Sequence, residues 1–144
     1  TSFLLSEVDN IRDAGLSILF ESDLPPSSLA RFIEKLPADV FGINYDTGNS
    51  ASLGYSPIDE FSEYGHRIKN VHIKDRKRNG GTVELGNGDT DFRSVFNELS
   101  KIAYSGNLIL QTARANDHRH AEYLARYKSF TEELISEYLT ESQI

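Results

Sequence analysis

Four polar side chains stand where short apolar runs end or pass: Glu21 after the run 16–20, Asp46 after 40–45, His72 within 68–73 and Gln111 after 108–110. Two carboxylates, an imidazole and an amide oxygen suit a divalent ion such as Mn²⁺, Co²⁺, Zn²⁺ or Mg²⁺, the neutral amide being the weakest donor. Each residue also has a plainer explanation. A carboxylate after a strand commonly caps a helix or sits in a solvated loop. Asp46-Thr-Gly-Asn49 can be a turn in which Gly48 supplies a positive φ, and His72 can be a satisfied core histidine. Recurrence at four successive strand ends is what favours ligation.

Basic residues follow the same strands: Lys74, Arg76, Lys77 and Arg78 after the third, Arg114 after the fourth. Arg76 and Arg114 lie nearer the strand ends, placed to hold an anionic or polyol substrate, whereas Lys77 and Arg78 read as solvated loop. The segment Leu85-Gly-Asn-Gly-Asp-Thr-Asp-Phe92 sets two glycines before a helix. Its amides could cradle a phosphate, or the segment could be a turn. His66 reads as a helix C-terminal dipole partner, and His118 and His120 as solvated first-turn residues.

The elements that must carry these groups are legible from periodicity. The four apolar runs are short, rich in Ile, Val, Leu and aromatics, and bounded by Gly, Pro, Asp or Asn, as strands are. The first and last are nearly continuous, which suits strands covered on both faces. Between them Leu29, Phe32, Ile33 and Leu36 repeat at helical spacing, as do Phe92, Val95, Phe96, Leu99 and Ile102. Leu124, Tyr127, Thr131, Leu134, Ile135 and Tyr138 predict a long C-terminal helix. Ser56 before Pro57, Asp91 before Phe92 and Asp117 before His118 are expected N-caps. Gly15, Gly65 and Gly106 are expected left-handed C′ residues. The order is an α/β (βα)4 unit, whose parallel strands present all their carboxyl ends on one face.

Composition narrows the function. The 144 residues include no Cys and carry a formal charge of −7. That charge opposes non-specific binding to nucleic acid, no apolar run is long enough to cross a membrane, and absence of cysteine fits a cytoplasmic location. The chain also holds no Met, so the expectation is that Thr1 follows processing, cropping or a break in a longer polypeptide.

The motifs Phe20-Glu21-Ser22-Asp23, Asn44-Tyr-Asp46-Thr-Gly-Asn49, Asn70-Val-His72-Ile-Lys-Asp75-Arg76 and the segment 85–92 resemble the xylose isomerase-like TIM-barrel family, in its sugar phosphate isomerase/epimerase branch. The similarity extends from about Gly15 to the C-terminal helix. It implies that residues 1–144 are the C-terminal half, strands five to eight, of a (βα)8 barrel. It implies a divalent metal held by Glu21, Asp46, His72 and Gln111, with Asn49, Asp75, Arg76 and Arg114 around a small sugar or sugar phosphate. Glu21 would be ligand and general base, and the ion would stabilise a cis-enediolate as the α-proton leaves. Gln111 stands where related epimerases have a second glutamate, which favours single-base aldose–ketose isomerisation over two-base epimerisation. The alternative is a non-catalytic sugar-binding or scaffold protein with an incomplete metal site. The superfamily's abasic-site nuclease branch is disfavoured by the charge and by only 4 His. Four strands alone would leave two open edges, so the missing N-terminal half-barrel or a second copy of the chain is the expected partner.

Overall fold

The computed structural model describes residues 1–139; the last five residues of the expected 1–144 unit lie outside the described residues. In chain order the elements are α1 (Ser2–Ser6), α2 (Val8–Asp13), β1 (Ile18–Phe20), α3 (Pro26–Ile33), β2 (Phe41–Asp46), α4 (Thr47–Leu53) and α5 (Pro57–Tyr64). A 3-10 turn (Gly65–Arg67) then leads into β3 (Ile68–Ile73), the hairpin β4 (Asp75–Arg76) and β5 (Thr82–Val83), α6 (Phe92–Lys101), β6 (Asn107–Leu110) and α7 (His120–Tyr138). Strands β1, β2, β3 and β6 form one parallel sheet in that order, which is the (βα)4 arrangement expected from the sequence.

Side chains alternate across the sheet. Val71 and Ile73 of β3 point into the core with Phe41, Ile43 and Tyr45 of β2. There they meet Leu29 and Ile33 of α3, Phe61 and Tyr64 of α5, and Val95, Phe96 and Leu99 of α6. The other face carries Asn44 beside Asn70, Asp46 beside His72, and His72 beside Ile109. This face is open: Ile109 is 45% exposed, and Asn107 is exposed with it. The two-sided burial expected for the first and last strands therefore does not occur. Both are edges of a four-stranded sheet, and no described element covers the side that Ile109 faces.

Arg67, 4% exposed, locks the base of the sheet. Its guanidinium donates to the carbonyls of Ile33 and Leu36, each at 2.9 Å, and of Phe41 at 3.2 Å. The end of α3 is thereby tied to the first residue of β2.

Ser56 and Asp91 cap α5 and α6 as expected, accepting from the Asp59 and Ser94 amides. Asp117 does not cap α7; its carboxylate accepts from Arg119 instead. Gly15 is left-handed at φ +64°, but Gly65 has φ −53° because the chain continues into the 3-10 turn. Gly106 is not left-handed either; Ala103 takes that conformation, at φ +51°, three residues earlier.

Candidate metal centre

Parallel register assembles the site. Asp46, the last residue of β2, pairs with His72 of β3, and Glu21 directly follows β1. Glu21, Asp46 and His72 each offer a ligand atom, all within 4.8 Å of one another. His72 Nδ1 lies 3.4 Å from Glu21 Oε2 and 3.8 Å from Asp46 Oδ2. Asp46 is also an N-cap: its Oδ1 accepts from the Asn49 amide at 2.7 Å. The Asp46–Asn49 segment is thus the first turn of α4, not a turn with a left-handed Gly48. Capping engages Oδ1 and leaves Oδ2 turned toward His72, so the plainer role and the ligand role coexist.

Two asparagines orient Glu21. Asn44 Nδ2 donates to Oε2 at 2.9 Å and Asn49 Nδ2 to Oε1 at 2.8 Å. Asn70 in turn donates to Asn44 Oδ1 at 2.6 Å. Charge is concentrated and sheltered here: the Asp46 side chain is 1% exposed, that of His72 20% and that of Glu21 37%. Two carboxylates and an imidazole at strand ends, one carboxylate fully enclosed, form a donor set that fits a divalent cation.

The residue the sequence reading passed over is Lys74. Its ammonium donates to Gln111 Oε1 at 2.8 Å and lies 3.4 Å from both Asp46 Oδ2 and Asn49 Oδ1. Its backbone is pinned by Thr47, whose Oγ1 accepts from Lys74 N at 2.9 Å and donates to Lys74 O at 2.6 Å. Gly48 must lack a side chain, because a Cβ there would lie 2.7 Å from Lys74 Cγ. Gly48 and Lys74 stand 26 positions apart, so the sequence carries no local trace of this contact.

The expected substrate residues divide. Asn49 stands in the cluster, and Arg76 reaches it through Nη1, 2.8 Å from Asn49 Oδ1. The rest of the Arg76 guanidinium donates to Gly80 O. Arg114 is exposed and lines a separate hollow of about 260 Å³ with His120 and Leu124. Asp75 turns its carboxylate into the protein. It is 1% exposed, and its carboxylate accepts from the amides of Gly86, Gly88 and Thr90 at 2.9, 2.8 and 3.1 Å. Those amides are therefore not free for a phosphate: the anion that the glycine loop cradles is Asp75. His66 pairs with Glu34 at 2.9 Å and holds its carboxyl below the usual range.

Behind the centre lies a buried carboxylate. Glu60, 3% exposed, accepts from Tyr45 Oη at 2.9 Å, Tyr64 Oη at 2.8 Å and the Ser50 hydroxyl. Burial pushes its carboxyl up, and burial beside Glu60 pushes both tyrosines up. A cavity of about 20 Å³, large enough for a single water, touches Glu21 and Asp46 on one side and Glu60 on the other.

Residues 11–132 match the family model described as xylose isomerase-like TIM barrel. An inosose dehydratase of Clostridium tetani (strain Massachusetts / E88) is 32% identical over 105 residues, covering 58% of this chain and 35% of that protein. A xylose isomerase domain protein from Planctomyces limnophilus superposes with a TM-score of 0.75 at 21% identity, covering 88% of this chain and 49% of the other. The IolI protein, solved with a zinc atom, superposes with a TM-score of 0.64 at 17% identity, covering 79% and 43%. The chain thus spans about half, or less, of the length of these proteins. Over that span its fold agrees with those of the two solved structures, and the chain belongs to the xylose isomerase-like TIM barrel family.

Proposed function

We propose that this chain is the metal-binding, C-terminal half of a barrel enzyme that removes a proton from the carbon beside a carbonyl of a sugar, sugar phosphate or related polyol. The observation that carries this reading is the convergence of Glu21, Asp46 and His72 at three adjacent strand ends within 4.8 Å. These three residues would hold the ion, which when bound supplies Lewis-acid polarisation of the substrate carbonyl.

The chain's own residues divide the remaining work. Glu21 is the base, because it is the more exposed carboxylate and both its oxygens are aimed by Asn44 and Asn49. Asp46 is enclosed and engaged in capping, which suits a ligand but not a proton carrier. Asn49 and Arg76 line the approach and offer hydrogen bonds to substrate hydroxyls, with Arg114 further out for the distal end. Gln111 cannot act as a second base, since an amide does not take up a proton near neutral pH. One carboxylate that takes and returns the proton supports aldose–ketose isomerisation through a cis-enediolate. Where a leaving hydroxyl stands beside the same carbon, the same proton removal begins a dehydration, the reaction in the name of the inosose dehydratase relatives. The unpaired edges β1 and β6 are read as the seams to the other half-barrel, supplied upstream in the polypeptide or by a second copy.

The test is hydrogen exchange in D₂O with Mn²⁺ and a panel of ketoses, sugar phosphates and inososes, followed by mass spectrometry. Deuterium should enter at the carbon beside the carbonyl, and Glu21→Gln should lower the rate about 100-fold or more. Equal exchange in Glu21→Gln removes the base assignment. One observation favours the non-catalytic reading: the Lys74 ammonium already sits against Asp46 and Gln111. Failure of any divalent ion to bind would favour that second reading.

A further inference from the structure

Lys74 leaves the end of β3 two residues beyond His72, and its stem crosses the floor of the site over Gly48. The side chain is 16% exposed. It touches three oxygens that a cation would seek: Gln111 Oε1, Asp46 Oδ2 and Asn49 Oδ1. Thr47 clamps its backbone from both sides, so the ammonium is delivered there by the fold.

We propose that Lys74 is a positioning residue that takes Gln111 out of the ligand set and competes with the metal for Asp46. A divalent ion would then be held by Glu21, Asp46 and His72 alone, and weakly. The inference rests on the metal-centre reading above. An amide has a single oxygen, and that of Gln111 already accepts a charge-assisted bond at 2.8 Å. The second lone pair of that oxygen could meet an ion only by holding two mutually repelling cations on one neutral oxygen, and the amide's other end is a donor that cannot ligate. A carboxylate at position 111 would have two oxygens and could serve both cations. Gln111 and Lys74 therefore act as a pair. The ammonium also raises the cost of placing a second, doubly charged cation against the same Asp46 oxygen.

The experiment is a calorimetric titration of Mn²⁺ and Zn²⁺ into the full chain and its Lys74→Met, Gln111→Leu and Asp46→Asn variants, with circular dichroism as the check of fold. Lys74→Met should bind on the order of tenfold more tightly than the wild type. Gln111→Leu should stay within about threefold of it. A merely structural lysine would not tighten binding when lost. If Lys74→Met fails to fold, Gln111→Leu decides, because Gln111 is exposed and its loss leaves the backbone clamp intact. Unchanged or weaker binding in Lys74→Met, or a tenfold loss in Gln111→Leu, overturns the inference while leaving the centre in place. Undiminished binding in Asp46→Asn places the ion elsewhere and removes the metal-centre reading as well.

Discussion

Replacing Asp75 by asparagine isolates the role that the fold gives this carboxylate. Its Oδ2 accepts from the Gly86 and Gly88 amides and its Oδ1 from the Thr90 amide, all beside a side chain that is 1% exposed. In Asp75→Asn one of the three N–H groups must face the new NH₂ and lose its acceptor, at a cost of about 1.5–3 kcal/mol for a charge-assisted bond. The other two bonds become neutral and weaken by roughly half, about 0.5–1 kcal/mol each. The sum is about 2.5–5 kcal/mol, a large share of the roughly 5–15 kcal/mol that holds a domain together. With a urea slope near 2 kcal/mol per molar, the midpoint should fall by about 2 M. Gly88→Ala attacks the same lock from the other side, because a Cβ there would lie 1.9 Å from Asp75 Oδ1 and 2.8 Å from Arg76 O. The double variant should lose clearly less than the sum of the two, since both break one network. A midpoint shift below about 0.5 M in Asp75→Asn at unchanged slope, or full additivity with Gly88→Ala, would refute this role and reopen a substrate-facing one.

Two other perturbations read the frame around the centre. The Glu60 carboxyl is raised by burial, so the folded state favours its protonated form. Its contribution is fully present below the unfolded value near 4.3 and is lost as pH rises through the folded value. Glu60→Gln should flatten that decline, so the melting temperature of the variant should gain on the wild type as pH rises from about 4; parallel curves would contradict it. Arg67→Met removes a donor from the carbonyls of Ile33, Leu36 and Phe41, of which Ile33 keeps the Leu36 amide, and should cost about 2–4 kcal/mol in urea unfolding. Arg67→Lys should recover only part of this, because one ammonium cannot span three carbonyls; full recovery would show that charge alone suffices.

The sequence revealed what is local and what repeats. The strand 68–73 and the caps Ser56 and Asp91 followed from short patterns and stand where expected. Glu21, Asp46 and His72 were legible because parallel strands deliver their ends to one face whatever lies between them. The contacts that escaped the sequence join residues far apart in it, whereas the cap expected of Asp117 failed for a local reason, its bond to Arg119. Gly48 lies in the first turn of α4, and the reason it must stay bare is Lys74, 26 positions later, which passes over it. Nothing local to Asp75 announces that the loop 86–90 folds back onto its carboxylate. Lys74 looked like one more basic loop residue, and nothing near it announces Gln111 as its partner. The buried Arg67 and Glu60 likewise carry no sequence mark, since their partners lie on other elements.

The central claim is a metal centre made by Glu21, Asp46 and His72, and an anomalous diffraction measurement on Mn²⁺- or Zn²⁺-soaked crystals tests it most directly. A peak should appear about 2.0–2.2 Å from one oxygen of each carboxylate and a His72 ring nitrogen, with Gln111 Oε1 still turned to Lys74. Crystals that diffract well and show no peak among these three residues would contradict the account.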